Sequence, residues 1–281
     1  MEVIVGKMAG FCPGVRNAVD KTKEKLEAEN SQVFCLGELV HNKQVVEELE
    51  NLDMKTVEDI AEVPNGEKVI FRAHGITKEI YEECKNRNIE YTDLTCIKVL
   101  DIHKMIENVD PKNLIVLIGD KNHPETIGSK SFGEDRIIVM QTLEDIPEIE
   151  ENFKNFKNIE VFCQTTFSVE KFNEFIDELK KVDTNLIVNN TICHATRIRQ
   201  EETETLSKEV DYMIIVGGKN SSNTKKLADI SRKNCNKVIH VETADELNIN
   251  DFKELSKVGI MAGASTPQKS IEDVVKILEN M

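Results

Sequence analysis

The sequence predicts an α/β fold in which three pseudo-repeated small α/β domains each carry a mostly parallel sheet. Three observations support this prediction: a cysteine opens a helix at three places, apolar strands alternate with helical segments, and similar polar loops recur at similar offsets. Alternating strands and helices are typical of parallel sheets that are covered by helices. We therefore expect one unit of about ninety residues to be repeated three times.

Each repeat begins with a cysteine at the start of a helix. The three cysteines are Cys12, Cys96 and Cys193, with intervals of 84 and 97 residues between them. Apolar residues recur every three or four positions after the first two cysteines, which indicates amphipathic helices, whereas the segment after Cys193 is more polar. Pro13 suits the first turn of a helix, where a backbone N–H has no partner to lose.

Two strands of each repeat end in a polar loop. The first loops carry a histidine or serine 27 to 29 residues after the cysteine, and the second loops carry a polar residue 62 to 72 residues after it. Because functional loops gather at the carboxyl ends of parallel strands, we expect these residues to converge. They are His41, His123 and Ser221 in the first loops and His74, Thr165 and Ser265 in the second.

A last strand leads back to the next cysteine in the first two repeats. The third repeat runs out of chain before such a strand, so we expect the N-terminal segment MEVIVGKMAGFC to supply it. This circular closure predicts three domains, with residues 13–95 in the first, 96–192 in the second, and 193–281 together with 1–12 in the third.

Composition excludes several classes of protein. The 281 residues carry a net charge of -15, which argues against a nucleic-acid or anionic-membrane partner, since both require a basic face. No apolar stretch approaches the length of a membrane span, and the N-terminus has no targeting signature. We therefore expect a cytoplasmic protein. Because seven is an odd number of cysteines and a reducing compartment disfavours disulfides, we expect some of these thiols to be ligands or core residues.

The three repeat-start cysteines are candidate metal ligands. A helix N-terminus stabilises a thiolate, which suits a metal site. Structural zinc sites usually take four closely spaced protein ligands, and that spacing is absent here, whereas three distant thiolates fit a [4Fe-4S] cluster with one iron left open. The alternative for any single cysteine is a small buried apolar residue. We keep that alternative for Cys35, Cys84, Cys163 and Cys235.

The other polar residues can also be divided into candidate functional residues and structural residues. Glu125 directly follows the His123–Pro pair, and a carboxyl in such a partly desolvated place can act as a general acid. The loop GGKNSSN is either an ordinary helix cap or an anion cradle at a helix N-terminus. His103 and His240 are interpreted as structural, and His194 stays ambiguous.

Nine motifs occur in order along the whole chain: GFCPGV, GELVHN, RAHGI, TC at 95–96, HPET, QTT, CHATRIRQ, GGKNSSN and AGAS. Together they resemble the 4-hydroxy-3-methylbut-2-enyl diphosphate reductases, which complete the non-mevalonate route of isoprene biosynthesis. One departure is visible, because Ile97 stands where that family often has proline after the second cysteine.

The resemblance implies a trefoil of three α/β domains around one central [4Fe-4S] cluster per chain, held by Cys12, Cys96 and Cys193. It implies an oxidoreductase that removes the substrate hydroxyl, bound at the open iron, and forms isopentenyl and dimethylallyl diphosphate. The electrons would come from an external one-electron donor of the ferredoxin or flavodoxin type. The implied catalytic residues are Glu125, Thr165 and His123. The implied substrate-binding residues are His41, His74, His123, Thr165, Thr196, Ser221, Ser222, Asn223 and Ser265.

Two alternatives from other classes remain open from the residues alone. One is a redox or iron-sensing module that binds a cluster and an anion without turnover. The other is a phosphate-ester hydrolase whose histidines do acid-base work and whose cysteines belong to the core.

Overall fold

The structure is a computed structural model that describes residues 1–28 and 32–281. Over those residues the chain forms twelve β-strands, which lie in three parallel four-stranded sheets, and ten α-helices. This confirms the predicted α/β class with three parallel sheets. The strands are β1 (Glu2–Val5), β2 (Val33–Leu36), β3 (Met54–Val57), β4 (Lys68–Phe71), β5 (Glu90–Asp93), β6 (Asn113–Ile118), β7 (Ile137–Met140), β8 (Asn158–Cys163), β9 (Ile187–Val188), β10 (Tyr212–Val216), β11 (Val238–Val241) and β12 (Lys257–Ala262).

The helices separate successive strands in most of the chain, as a parallel sheet requires. They are α1 (Pro13–Ala28), α2 (Lys43–Glu50), α3 (Lys78–Arg87), α4 (Ile97–Glu107), α5 (Pro124–Lys130), α6 (Ile146–Phe153), α7 (Val169–Val182), α8 (His194–Glu209), α9 (Ser222–Asn234) and α10 (Gln268–Glu279). None of the helices in the described ranges has both the length and the apolar character needed to cross a membrane.

The three sheets have the same strand order. The orders are β3-β2-β4-β5, β7-β6-β8-β9 and, read in the same direction, β11-β10-β12-β1. The first strand of the chain therefore takes the place that β5 and β9 take in the other sheets, and its residue Glu2 pairs with Lys257 of β12. The domain boundaries at residues 13–95, 96–192 and 193–281 with 1–12 stay a prediction.

The described chain divides into two compact units. Unit 1 contains Met1–Arg16, Val40–Glu48 and His194–Met281, and unit 2 contains Asn17–Leu39 and Leu49–Cys193. Unit 1 holds the sheet that includes β1, and unit 2 holds the other two sheets. The central strands β6 and β10 are buried along their whole length. Continuous apolar runs such as LIVLI and YMIIV are typical of strands that helices cover on both faces.

His103 is a core residue of unit 2. Its ring stacks on Phe132 with 4.3 Å between ring centroids, and only 3% of the residue is exposed. Neither ring nitrogen has a hydrogen-bond partner in the described part of the chain. Burial lowers the pKa of His103 to about 4, against the weaker opposing effect of Asp93 and Glu107. These observations agree with the structural interpretation of this histidine.

In the variant His103→Phe, the free energy of unfolding is expected to fall less than in the parent as the pH is lowered from 7 to 5. The imidazole takes up a proton in the unfolded chain below pH 6.5 but in the folded chain only near pH 4, so the native state loses stability as the pH falls between these values. Between pH 7 and pH 5 this loss is about 2 kcal/mol. Urea unfolding at both pH values should show that the variant loses about that much less than the parent, and equal losses would contradict the assignment.

Candidate functional site

The cysteines fall into two groups by burial. Cys12, Cys96 and Cys193 are partly exposed, whereas Cys35, Cys84, Cys163 and Cys235 are buried. Burial raises the pKa of the Cys35 thiol to about 12 and also raises that of Cys84, so both stay protonated near neutral pH. A protonated, buried thiol is a poor metal ligand. The division agrees with the core interpretation of these two thiols.

The three partly exposed cysteines share one backbone contact. Each stands directly before the helix that it opens, α1, α4 or α8. Its N–H donates to a carbonyl in the loop after a sheet strand, at 3.1 Å for Cys12 to Ala264, 3.0 Å for Cys96 to Ala73, and 3.0 Å for Cys193 to Thr165. The carbonyl in each case lies two residues after its strand ends. The repeat is therefore present in hydrogen bonding as well as in sequence.

This contact corrects the alignment of the second loops. The offsets from the cysteines predict that Thr165 corresponds to His74 and Ser265. The hydrogen bonds instead show that Thr165 corresponds to Ala73, and Thr166 to His74. The tight turns after the two strands support this alignment. The backbone N–H of Gly75 donates to the carbonyl oxygen of Arg72, just as the backbone N–H of Phe167 donates to the carbonyl oxygen of Gln164. Spacing along the chain could not detect a shift of one residue, because the offsets already differ by more than that.

Glu125 and Thr165 are joined by two short hydrogen bonds in unit 2. The backbone N–H of Thr165 donates to Glu125 Oε1 at 2.5 Å, and the Thr165 hydroxyl donates to Glu125 Oε2 at 2.7 Å. Glu125 is 2% exposed, so its carboxyl is removed from bulk water. The carboxyl is thus fixed in one orientation by two donors from one residue.

His123 caps α5, the short helix that carries Glu125. Its Nδ1 accepts the backbone N–H of Glu125 at 3.2 Å, which requires that nitrogen to be unprotonated. The neutral ring therefore carries its proton on Nε2, where it can donate to a ligand. The ring of His74 stands perpendicular to it, with 5.4 Å between centroids. The two histidines predicted from separate loops thus lie side by side in unit 2.

These contacts connect the predicted residues of unit 2 in one series. Cys96 bonds to the residue before His74, His74 packs on His123, and His123 caps the amide of Glu125. Glu125 in turn accepts two bonds from Thr165, whose carbonyl accepts the N–H of Cys193. A series of contacts therefore links a carboxyl, two imidazoles and a hydroxyl to the backbone of two candidate thiolate ligands.

The predicted anion cradle of unit 1 is the N-terminus of α9. Ser221 is the N-cap, and its Oγ accepts the N–H of Thr224 at 3.3 Å. Asn223 is 4% exposed, and neither of its amide atoms has a partner among the described residues. A buried amide without partners is unfavourable unless a ligand satisfies it. The buried Asn223 amide and the positive end of the α9 helix dipole together favour the binding of an anion at this position.

His41 and Ser265 meet through the backbone of the loop before α2. The Ser265 hydroxyl donates to the carbonyl oxygen of His41 at 3.1 Å. The same carbonyl packs against Gly218, where a Cβ atom would lie 2.6 Å from it, so only glycine fits at that position. The loop that carries His41 is thereby held against the GGKNSSN loop within unit 1. Thr196 lies in the first turn of α8 and is 4% exposed.

Arg199 and Glu202, which no pattern in the sequence singles out, hold the segment before Cys12. The Arg199 guanidinium, 1% exposed, donates to the carbonyls of Met8 at 2.9 Å and Gly10 at 2.8 Å. The Glu202 carboxylate accepts the N–H groups of Lys7 at 2.7 Å and Met8 at 2.8 Å. Both side chains come from α8, the helix that follows Cys193. The motif CHATRIRQ contains Arg199, but only contacts across nearly two hundred residues reveal its role.

Known proteins match this chain over its whole length or nearly so. The family model described as LytB protein matches residues 3–279. The 4-hydroxy-3-methylbut-2-enyl diphosphate reductase of Clostridioides difficile (strain 630) is 40% identical over 285 residues, with 100% of both chains covered. The same enzyme of Aquifex aeolicus (strain VF5) is 38% identical, covering 98% of this chain and 94% of its own.

Two solved structures share the fold. The E-1-hydroxy-2-methyl-but-2-enyl-4-diphosphate reductase from Plasmodium falciparum superposes with a TM-score of 0.93 at 28% identity, covering 99% of this chain and 88% of that one. A structure of (E)-4-hydroxy-3-methyl-but-2-enyl diphosphate reductase, the terminal enzyme of the non-mevalonate pathway, superposes with a TM-score of 0.73 at 38% identity and covers both chains completely.

Proposed function

We propose a function for this chain from the premise that it belongs to the LytB protein family. It is an oxidoreductase that converts 4-hydroxy-3-methylbut-2-enyl diphosphate to isopentenyl diphosphate and dimethylallyl diphosphate. The reaction takes up two electrons and two protons, breaks the C–O bond of the substrate hydroxyl and releases water. The observation that carries the proposal is the bonded series from Glu125 through Thr165 to Cys193, because it joins a buried carboxyl to a candidate cluster ligand.

Cys12, Cys96 and Cys193 hold one [4Fe-4S] cluster in this proposal. Their partial exposure and shared position before a helix fit such a cluster, and the N–H of Val15 already points at the Cys12 sulfur at 3.5 Å. Three thiolates leave one iron without a protein ligand. When bound, the cluster supplies single electrons and an open coordination position. The protein supplies placement, electrostatics and protons.

Glu125 delivers the proton that accompanies C–O cleavage. A leaving hydroxide needs acid assistance near neutral pH, and a positioned acid must lie within hydrogen-bond reach of the group that it protonates. The Thr165 hydroxyl is the natural relay, because it already shares a hydrogen bond with the Glu125 carboxyl. His123, with its proton on Nε2, provides a further donor in the same unit.

The diphosphate group is bound by neutral donors rather than by an arginine pair. Ser221, Ser222 and Asn223 offer hydroxyl, amide and backbone N–H groups at the start of α9. The remaining proposed ligands come from other loops and from the start of α8. They are His41, His74, His123, Thr165, Thr196 and Ser265.

The electrons come from an external donor protein of the ferredoxin or flavodoxin type. Such carriers transfer one electron at a time, which suits an iron-sulfur centre. An iron-sulfur site with reduced thiols requires a reducing compartment, so we place the enzyme in the cytoplasm.

Metal analysis and turnover test this proposal together. Protein purified without oxygen should contain about four iron and four acid-labile sulfide atoms per chain, as expected for a [4Fe-4S] cluster. It should also consume the diphosphate substrate when a chemical one-electron reductant is present. Iron and sulfide without turnover would favour a redox or iron-sensing module. Turnover of phosphate esters without iron would favour a hydrolase.

The variant Asn223→Ala is expected to weaken substrate binding without destabilising the free protein. Losing a hydrogen bond to a charged group costs about 1.5–3 kcal/mol, which is about a ten- to hundredfold loss of affinity. The unbound protein loses no bond, because the Asn223 amide has no partner among the described residues. Substrate titration and urea unfolding check the two halves, with the exposed Asn220→Ala as control. Unchanged affinity would place the diphosphate elsewhere.

A further inference from the structure

The cationic side chain of Lys226 touches the proposed diphosphate cradle in unit 1. The Lys226 ammonium donates to the Ser222 hydroxyl oxygen at 2.8 Å, one helical turn along α9. Both side chains are partly buried, whereas the neighbouring Lys225 is exposed. In a chain with a net charge of -15, a cation within one hydroxyl of an anion cradle has a large local influence.

This contact determines which way the hydroxyl can donate. A serine oxygen that accepts a bond from an ammonium group keeps its own hydrogen for another acceptor. The adjacent Ser221 oxygen is occupied in the same manner, because it accepts the N–H of Thr224. Both hydroxyls are therefore held as donors at the start of a helix whose own N–H groups and dipole also favour an anion. The charge of Lys226 further polarises the Ser222 hydroxyl.

We propose that Lys226 is a positioning residue for the substrate diphosphate, acting through the hydroxyl of Ser222. The inference rests on the proposed function and deepens it, since it adds a cation to a cradle otherwise built from neutral groups. Lys226 orients Ser222 toward the diphosphate and polarises the hydroxyl group that donates to it.

Steady-state kinetics on the cluster-loaded enzyme test the proposal, with Lys226→Met as the variant and Lys225→Met as the matched control. Lys226→Met should raise KM for the substrate about tenfold, since a hydrogen bond to a charged group is weakened, while kcat stays within about twofold. Lys226→Arg should restore most of the affinity, and Lys225→Met should match the parent.

A double-mutant cycle separates action through Ser222 from a general effect of charge. If Lys226 works through that hydroxyl, Ser222→Ala together with Lys226→Met should raise KM little more than Ser222→Ala alone. Fully additive effects would overturn the positioning role. So would an unchanged KM in Lys226→Met, or an equal rise in Lys225→Met. Lys226→Gln replaces the methionine variant if that protein does not fold.

Binding of inorganic pyrophosphate distinguishes a failure of this inference from a failure of the proposed function. Wild-type protein that binds pyrophosphate about tenfold more tightly than Lys226→Met supports the anion site even if the allylic substrate is not turned over. Turnover by the wild type with equal pyrophosphate affinity in both proteins overturns the role of Lys226 and leaves the reductase assignment intact.

Discussion

Cys96→Ser is expected to abolish turnover and to bleach most of the visible absorption of the anaerobic enzyme. Cys96 is partly exposed, precedes α4 and bonds through its N–H to Ala73, as the other two proposed ligands bond to their own loops. A serine hydroxyl is a poor replacement for a thiolate at iron, which is held by thiolates in such clusters. Removing a residue that only hydrogen-bonds to a metal ligand already lowers metal affinity or activity about ten- to hundredfold. Removing a ligand itself should lower them by more than that.

Iron content, sulfide content and the visible spectrum of the same sample provide the measurement. Cys235→Ser is the matched control, because the Cys235 thiol donates to the carbonyl of Lys237 at 3.3 Å and a serine hydroxyl can make the same bond. The control should keep both cluster and activity. A Cys96→Ser protein that keeps a full cluster would show that Cys96 is not a ligand.

Glu125→Gln is expected to lower the turnover rate at least about a hundredfold while the protein keeps its cluster and binds substrate. A positioned general acid contributes about a hundred- to ten-thousandfold in rate, and the amide cannot deliver a proton. The substitution keeps the size of the side chain and one acceptor for the Thr165 N–H. Its NH₂ group cannot accept the Thr165 hydroxyl, so the relay is broken at the same time.

Two measurements on one sample decide the role of Glu125. The first is the change in the cluster spectrum when substrate is added, and the second is the steady-state rate with excess reductant. The exposed Glu148→Gln in the same unit should behave as the parent in both. Near-parental turnover in Glu125→Gln would refute the proton-donor role, and loss of the spectral change would make Glu125 a binding residue.

The repeat could be predicted from the sequence because it is written in local patterns. Strands of two to six residues, helix-starting cysteines and polar loops keep their order in every copy. The pairing of β1 with β12 could also be predicted, since the last copy lacks a closing strand and the N-terminal segment offers one. Each of these signals depends on residues close together in the chain, where periodicity is a direct consequence of backbone geometry.

The site could be predicted only as a set of residues. The sequence named Glu125 and Thr165 separately, but their two hydrogen bonds span 40 residues and depend on how β8 and α5 pack. The one-residue shift that aligns Thr165 with Ala73 became visible only in the backbone bonds of Cys96 and Cys193. Contacts between residues so far apart in the chain produce no periodic pattern in the sequence.

By itself, the sequence determined the α/β class, the threefold repeat and the identity of the candidate ligands, because these follow from local propensity and from spacing. Only the tertiary structure decided which cysteines are partly exposed, that Asn223 is buried without partners in the described chain, and that Arg199 and Glu202 hold the segment before Cys12. Burial and hydrogen bonding between distant residues arise when helices and sheets pack. That packing is a property of the whole chain rather than of any segment.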